Sequence, residues 1–200
     1  LLREWMANGV TPTYRPIDIS ANALRMIRTL MAEKLPGLTV QGIQGDNLEV
    51  LTHLSKAEVP RTFLFLGSNI GNMGYDSAVE LMRSIRQKMN ASDRLMIGFD
   101  LKKDPRRILK AYDDDAGITR EFNLNLLRRI NRELGADFKV ECFEHAPSYD
   151  PKTGKAESHL VSTVEQEVRI PGSPDRIHFH TWEAIHTETS QKYDTAMIKA

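Results

Sequence analysis

Between Thr13 and Asp100, short apolar runs alternate with segments of helical period, and this rhythm limits the possible folds more than any other feature. TYRPIDIS (13–20), LTVQGIQGD (38–46), RTFLFLGS (61–68) and DRLMIGFD (93–100) read as strands. Ser20 caps a helix reaching about Leu35, with Leu24, Ile27, Leu30 or Met31, and Leu35 on one stripe. A short helix is predicted over 47–57, and a longer one over 74–90 with Val79, Met82, Ile85 and Met89 inward. RTFLFLGS is apolar on both faces, which predicts a buried central strand, and DRLMIGFD predicts another. Strands and helices in this order imply a parallel sheet covered by helices on both faces.

After residue 103 the pattern changes. Helices are predicted over 104–112 and 118–134, the second with Phe122, Leu126 or Leu127, Ile130 and Leu134 inward. Three period-2 stretches follow: DFKVECFEHAPSYD, AESHLVSTVEQEVRI and DRIHFHTWEAIHTETSQKYD. PKTG (151–154) and PGSPD (171–175) mark turns between them, so an antiparallel meander is expected. The chain thus divides into an α/β part over 1–102, an α+β unit over 103–192 grafted onto it, and a return to the first part over 193–200. LLREWMANG reads as the end of a helix closed by Gly9, and SQKYDTAMIKA as the start of another, the pattern expected of a stretch within a longer chain.

Composition removes several function classes. With 27 Lys+Arg against 27 Asp+Glu, no net charge draws the chain to nucleic acid or an anionic membrane. No apolar run approaches the ~20 residues of a bilayer-spanning helix, and LLREWMANG lacks the form of a signal peptide. The lone cysteine, Cys142, excludes an internal disulfide and a multi-thiolate zinc site, and it suits a reducing, cytoplasmic setting.

In open α/β sheets ligands bind beyond the carboxyl ends of strands, which selects Asp18, Gly45-Asp46, GSNIGN (67–72) and Asp100. An acid closing a strand, as Asp18 does, can accept both hydroxyls of a ribose or simply cap the next helix. The glycines of GSNIGN, beginning with Gly67, let backbone approach a ligand, but the loop has neither the Walker lysine nor GxGxxG, so a phosphate cradle is not expected. His178 and His180 alternate along one strand and, with His186 and Glu183, offer zinc or iron ligand types; such spacing is common by chance, and no metal is expected. Asp113, Asp114 and Asp115 most simply cap the helix near Ile118, and the arginine pairs at 106–107 and 128–129 read as solvated helix faces.

FLFLGSNIGN, AYDDDAGITREFNLNLLRRINRELGADF and IHTETSQKY resemble the histidine-specific, S-adenosylmethionine-dependent methyltransferases of ergothioneine biosynthesis, and the resemblance runs from about Tyr14 to the C-terminus. It implies a Rossmann-type class I methyltransferase core with an inserted α+β substrate-binding unit, S-adenosylmethionine as cofactor, and histidine as a small-molecule substrate converted to trimethylhistidine. On matching positions, Asp18 takes the cofactor's ribose and Asp46 its adenine, with Asn47 where the family often has Phe; Gly67 opens the loop beside it. Asn72 and Tyr112 anchor the substrate's α-amino and carboxylate end, and Glu188 and Ser190 bond the imidazole; Tyr112 is also the candidate proton acceptor. Asn69 stands where Thr is frequent, and Ser158 falls near a Met that lines the side-chain pocket. The family's glycine-rich loop would lie before Leu1.

Three other readings stay open on the residues alone: a methyltransferase of the same fold acting on another amino acid or an indole amine, a non-catalytic binding module, and, ranked last, a metal enzyme using His178, His180 and His186.

Overall fold

The computed structural model describes residues 1–55 and 58–199, with the side chains at 47, 48 and 52 outside that description. It is a mixed α/β structure whose chain separates into two compact units, residues Leu1–Phe63 with Val79–Arg94, and residues Leu64–Ala78 with Leu95–Ala200.

In the first unit, helix α1 (Leu2–Ala7) ends before Gly9, which takes a left-handed φ of 79° as a helix terminus requires. Strands β1 (Thr13–Tyr14) and β2 (Ile17–Asp18) flank Pro16, and β3 (Thr39–Val40) and β4 (Ile43–Gln44) flank Gly42. The pairs β1–β3 and β2–β4 are parallel. Bonds from Gln41 N to Tyr14 O (2.8 Å), Ile43 N to Pro16 O (2.8 Å) and Gly45 N to Asp18 O (3.2 Å) carry one ladder past the proline. Pro16 has no N–H to give, yet its carbonyl still accepts, so the expected strands 13–20 and 38–46 do lie side by side. Helix α2 (Ala21–Lys34) begins at Ser20, whose Oγ accepts from Ala23 N at 3.2 Å. Its inner stripe uses Met31, while Leu30 is exposed.

Helix α3 (Asn47–His53) follows β4, and α4 (Tyr75–Lys88) presents Ala78, Leu81 and Ile85 as its buried residues. The predicted stripe of Val79, Met82, Ile85 and Met89 is therefore displaced by a fraction of a turn: only Ile85 is fully buried. Ala78 and Leu81 take the inner face.

The Asp93 carboxylate ties the two chain passages of this unit together. It accepts from Arg61 N (2.7 Å), Arg61 Nη2 (3.1 Å) and Asn90 N (2.9 Å), with its side chain fully shielded and that of Arg61 19% exposed. Burial alone would raise its pKa; the bonds from the Asn90 and Arg61 amides and the guanidinium outweigh this and hold it below the ordinary 3.8. A depressed carboxylate stabilises the fold above the unfolded pKa and loses that contribution as pH falls through the folded one. Asp93→Ala is accordingly expected to cost about 3 kcal/mol in urea denaturation at pH 7. The difference from the parent should shrink below pH 3.8.

Strands β5 (Thr62–Phe65) and β6 (Arg94–Ile97) form a two-stranded pair. Neither is the buried strand expected: β5 is half-buried, β6 alternates exposed and half-buried residues, and Leu66 and Met96 are 46% and 49% exposed. Burial of both faces needs strands on either side. Among the described residues β5 has β6 alone, and the parallel strands form three separate pairs.

The second unit carries α5 (Pro105–Tyr112), α6 (Ile118–Leu134) and a three-stranded antiparallel sheet of β7 (Phe143–Asp150), β8 (Lys155–Ser162) and β11 (Ala184–Gln191), in the order β11-β8-β7. Between β8 and β11 the chain forms a small hairpin of β9 (Gln166–Val168) and β10 (Ile177–Phe179). The expected meander is present, but its second and third stretches each split into two strands. The core gathers Leu124, Leu127, Phe138, Phe143, Leu160, Val168 and Phe179. Phe143 and Phe179 meet edge to face at 5.5 Å.

Helix α6 buries Leu127 and packs Ile130 against the core as expected, but the two ends of the expected stripe do not follow. Phe122 and Leu134 are 73% and 55% exposed, while Asn123, Leu124 and Leu127 are buried. Two asparagines hid the true face. Asn123 Nδ2 donates to Thr119 O at 3.1 Å, and Asn131 bonds both N–H and C=O of Phe138 at 2.9 and 2.8 Å, so both sit inward without an unpaired amide. No helix among the described residues is long and apolar enough to cross a membrane.

Candidate functional site

Strand β11 builds the site through an irregularity. Ile185 and His186 pair with Leu160 and His159, but Glu188 pairs with Ser158, so Thr187 is an extra residue in the ladder. Its Oγ1 reaches Asn123 Oδ1 (2.7 Å) and Ser158 O (2.9 Å), which anchors the bulge to α6 and β8. Uninterrupted period-2 alternation would put His186 on the face of Glu188. The bulge instead turns His186 onto the face of His159, their rings 5.3 Å apart. Glu188 and Ser190 share the other face with Ser158.

The end of β11 is then locked in place. Tyr193 N donates to Asp100 O (2.9 Å) and Lys102 N to Tyr193 O (2.8 Å), so the strand continues beside the segment that follows β6. A methyl group on Gly71 would lie 2.7 Å from Gln191 O, so only glycine lets the short 3-10 turn Asn69–Asn72 approach this strand end. Tyr193 Oη donates to Ile70 O at 3.2 Å from the same side.

Beside this strand end lies an open cavity of about 530 Å³ lined by Asp100, Lys103, Tyr112, Thr119, Glu188 and Lys192, among others. One lining residue is Lys192, whose side chain is 5% exposed. It donates to Tyr112 Oη (2.7 Å) and Ser190 Oγ (2.9 Å) and pairs with Asp100 Oδ2 (3.0 Å); Lys103 Nζ reaches Asp100 Oδ1 at 2.7 Å. Burial works against charge on Lys192, yet the bonds to Tyr112 and Asp100 outweigh it and raise its pKa above 10.5. Burial likewise opposes the Asp100 carboxylate, but the bonds from Lys103 and Lys192 prevail and lower it below 3.8. Both groups are therefore charged at neutral pH. Tyr112 is held from behind as well: its carbonyl can only accept, so His145 Nε2, 2.9 Å away, is the protonated nitrogen.

The Glu188 carboxylate contrasts with this saturated cluster. It is half-buried, it faces the cavity, and it has no protein hydrogen-bond partner among the described residues. Ser158, opposite it, is fully buried with an unpartnered Oγ. A carboxylate and a hydroxyl left open within a pocket are groups a polar ligand can satisfy.

Of the residues anticipated for the substrate, the structure brings Tyr112 and Glu188 to one cavity and joins Ser190 to it through Lys192. Asn72 ends the 3-10 turn at the strand end with its side chain exposed, and it does not line this cavity. Lys192 was not anticipated, although it sits directly after the TETSQ run. A lysine after a strand reads as solvated, and nothing local signals that Asp100 and Tyr112 meet its ammonium. Thr119 was missed for a similar reason: its N–H bonds Asp114 (2.8 Å), as an ordinary capping position would. Asp114 does cap α6, taking Ile118 N and Thr119 N, and these bonds lower its pKa to about 2.

In the first unit, Asp18 and Asp46 stand at the carboxyl ends of the paired strands β2 and β4. Asp18 Oδ1 accepts from Ser20 N at 2.8 Å, while Oδ2 has no partner among the described residues. Asp46 Oδ1 accepts from Glu49 N at 3.4 Å. The open Asp18 oxygen at a strand end is a group that a ribose hydroxyl can bond, which suits a nucleoside ligand. The side chain of Asn47 lies outside the described residues. In the second unit, Gly67 follows β5 with φ 77°, and Ser68 after it is also left-handed at 60°.

A sequence profile described as "Histidine-specific methyltransferase, SAM-dependent" matches residues 1–200. The chain is 34% identical over 200 residues to a histidine N-alpha-methyltransferase of Mycobacterium tuberculosis, covering all of this chain and 62% of that protein. It is 33% identical over 181 residues to a protein of the same name from Mycolicibacterium smegmatis, covering 89% and 55%. It is also 29% identical over 203 residues to ergothioneine biosynthesis protein 1 of Neurospora crassa, covering 96% and 22%. The chain thus spans less than two thirds of the length of each of these relatives. With the profile matched over its whole length, the chain belongs to the family of histidine-specific, SAM-dependent methyltransferases.

Proposed function

We propose that the full-length protein transfers methyl groups from S-adenosylmethionine to the α-amino group of L-histidine, giving trimethylhistidine. The observation that carries this reading is the open Glu188 carboxylate, facing the same cavity as Tyr112 and beside the hydroxyl of Ser190. On this reading residues 1–102 belong to a Rossmann-type cofactor-binding part, 103–192 to the substrate-binding part, and 193–200 to the first part again. The activity belongs in the cytoplasm, a reducing setting that the one free cysteine, Cys142, suits.

Lys192 sets the polarity of the pocket. Because its ammonium donates to both Tyr112 Oη and Ser190 Oγ, each hydroxyl has its own hydrogen left to give elsewhere. Ser190 donates to the bare nitrogen of a neutral imidazole, and Glu188 accepts from its N–H. At the other end, Tyr112 in the cavity and Asn72 on the 3-10 turn outside its lining are the residues assigned to the carboxylate and amine. Tyr112 is also the candidate acceptor for the proton the amine sheds before each transfer, a role open only to its phenolate, formed when its own hydroxyl hydrogen has passed to solvent.

When bound, the cofactor supplies a methyl group on a sulfonium, with Asp18, Asp46, Asn47 and Gly67 as its contacts. Displacement from a sulfonium by a neutral amine disperses charge, so the main task of the pocket is to hold the amine in line. Fixing histidine at both ends does this. Phe or Leu would leave Glu188 and Ser190 unpaired and should be rejected strongly.

A second reading, action on another amino acid or an indole amine, is favoured by one observation: Ser158 puts a buried, unpartnered hydroxyl opposite Glu188. The full-length protein, given methyl-labelled cofactor and an equimolar mixture of amino acids and tryptamine, separates the two by mass spectrometry. Label on histidine in one to three methyl increments is the expected result. Label on another amine would move the specificity to Ser158 and Asn69, and no label at all would leave a binding module.

A further inference from the structure

The β9–β10 hairpin carries a group of side chains that the methyltransferase reading does not use. His178 and His180 alternate on and just after β10, so both point to one side of the ribbon. Their rings meet edge to face, 4.7 Å between centroids. The antiparallel register pairs Phe179 with Gln166, and one step further His180 stands across from Glu165. Glu165 Oε1 lies 3.1 Å from His178 Nε2.

We propose that Glu165, His178 and His180 form a surface site for a borderline divalent metal of the zinc class. One nitrogen from each imidazole and one carboxylate oxygen all lie within 4.8 Å of one another. Ligands bound at about 2.0–2.2 Å to a single tetrahedral ion lie roughly 3.3–3.6 Å apart, so small rotations of exposed side chains suffice to converge on one ion. Two imidazoles with a carboxylate select zinc, nickel or copper over calcium or magnesium, which prefer all-oxygen shells. All three residues are exposed, so water completes the fourth position.

Local bonds pre-arrange the group. His180 N donates to Glu183 Oε2 at 2.8 Å, which sets the turn that ends at Trp182 and Glu183. Arg176 is engaged by Glu167 at 3.0 Å, so it does not compete for Glu165. The third histidine that the sequence offered, His186, is not part of the group. It stacks on His159 and bonds Thr189 Oγ1 at 2.8 Å. An ion here would clip the two strands together at the open end of the hairpin, where Glu165 precedes β9 and His180 follows β10, a structural role separate from methyl transfer.

The test is calorimetric titration of Zn²⁺ into the full-length, untagged protein after EDTA treatment, with NMR of the histidine rings. One equivalent should bind, shifting the His178 and His180 ring signals and leaving those of His159 and His186 in place. His178→Ala and His180→Ala should each weaken binding by more than the about 10–100-fold that disturbing an outer-shell partner costs. Both positions are exposed, and circular dichroism checks that the variants fold. Absence of binding, or binding unchanged in the His178→Ala/His180→Ala protein, overturns the proposal.

Discussion

Glu188→Ala is expected to lower kcat/KM for histidine about 100-fold in the full-length protein while leaving its folding stability nearly unchanged. The two halves of this expectation come from one fact: Glu188 has no protein partner among the described residues, so its removal breaks no internal bond. What is lost is a charge-assisted bond to the ligand, worth roughly 1.5–3 kcal/mol, at about tenfold per 1.36 kcal/mol. Steady-state kinetics beside a urea titration read both quantities. A stability loss above about 2 kcal/mol would mean that Glu188 supports the fold and does not wait for a ligand. Glu188→Gln is the sharper variant, because an amide keeps the size and one acceptor oxygen. It should recover part of the loss in KM.

Lys192→Met should affect both activity and stability. The ammonium is the shared partner of Asp100, Tyr112 and Ser190, and its side chain is 5% exposed against 31% for Asp100. Removing it leaves Asp100 with Lys103 alone, at a cost of about 2–3 kcal/mol, below the range for a fully buried pair. The two hydroxyls also lose the donor that orients them, so kcat should fall about 100-fold even at saturating histidine. Asp100→Asn combined with Lys192→Met should regain part of the stability and none of the activity, since it removes a partly buried carboxylate left with Lys103 alone without restoring the donor.

The same pair predicts the pH profile. Asp100, lowered below 3.8, contributes above that pH and fails only as pH drops through its folded pKa. Lys192, raised above 10.5, contributes fully below that pH and fails as pH climbs past its folded value. Between those limits neither Asp100 nor Lys192 changes charge.

Much of the fold was legible from local patterns. Ser20 and Asp114 cap their helices as short polar side chains before an apolar run should, and Gly9 ends α1 in the left-handed conformation. The strand ends at Asp18 and Asp46 could be found because position in an α/β chain does not depend on distant packing. Glu188 and Tyr112 were found through the resemblance; on residues alone, Glu188 was a polar residue on a half-exposed strand.

Periodicity misled where polar side chains are bonded inward. The buried face of α6 includes Asn123 because Thr119 and Thr187 satisfy it, and a hydrophobic stripe cannot register such a residue. The apolar run of β5 predicts a central strand, although burial of both faces depends on how many strands flank it.

The sequence by itself determined the helices, the parallel pairing along 13–18 and 39–44, the antiparallel sheet and the family. These follow from neighbours along the chain and from motif identity. Only the tertiary structure decided that a bulge at Thr187 puts Glu188 and Ser190 on the face opposite His186, and that Lys192 is buried against Asp100, Tyr112 and Ser190. Both depend on contacts between residues 29 to 92 positions apart, such as Thr187 with Ser158 and Lys192 with Asp100. A one-residue shift of strand register reverses every side chain beyond it, and no local pattern records where that shift occurs.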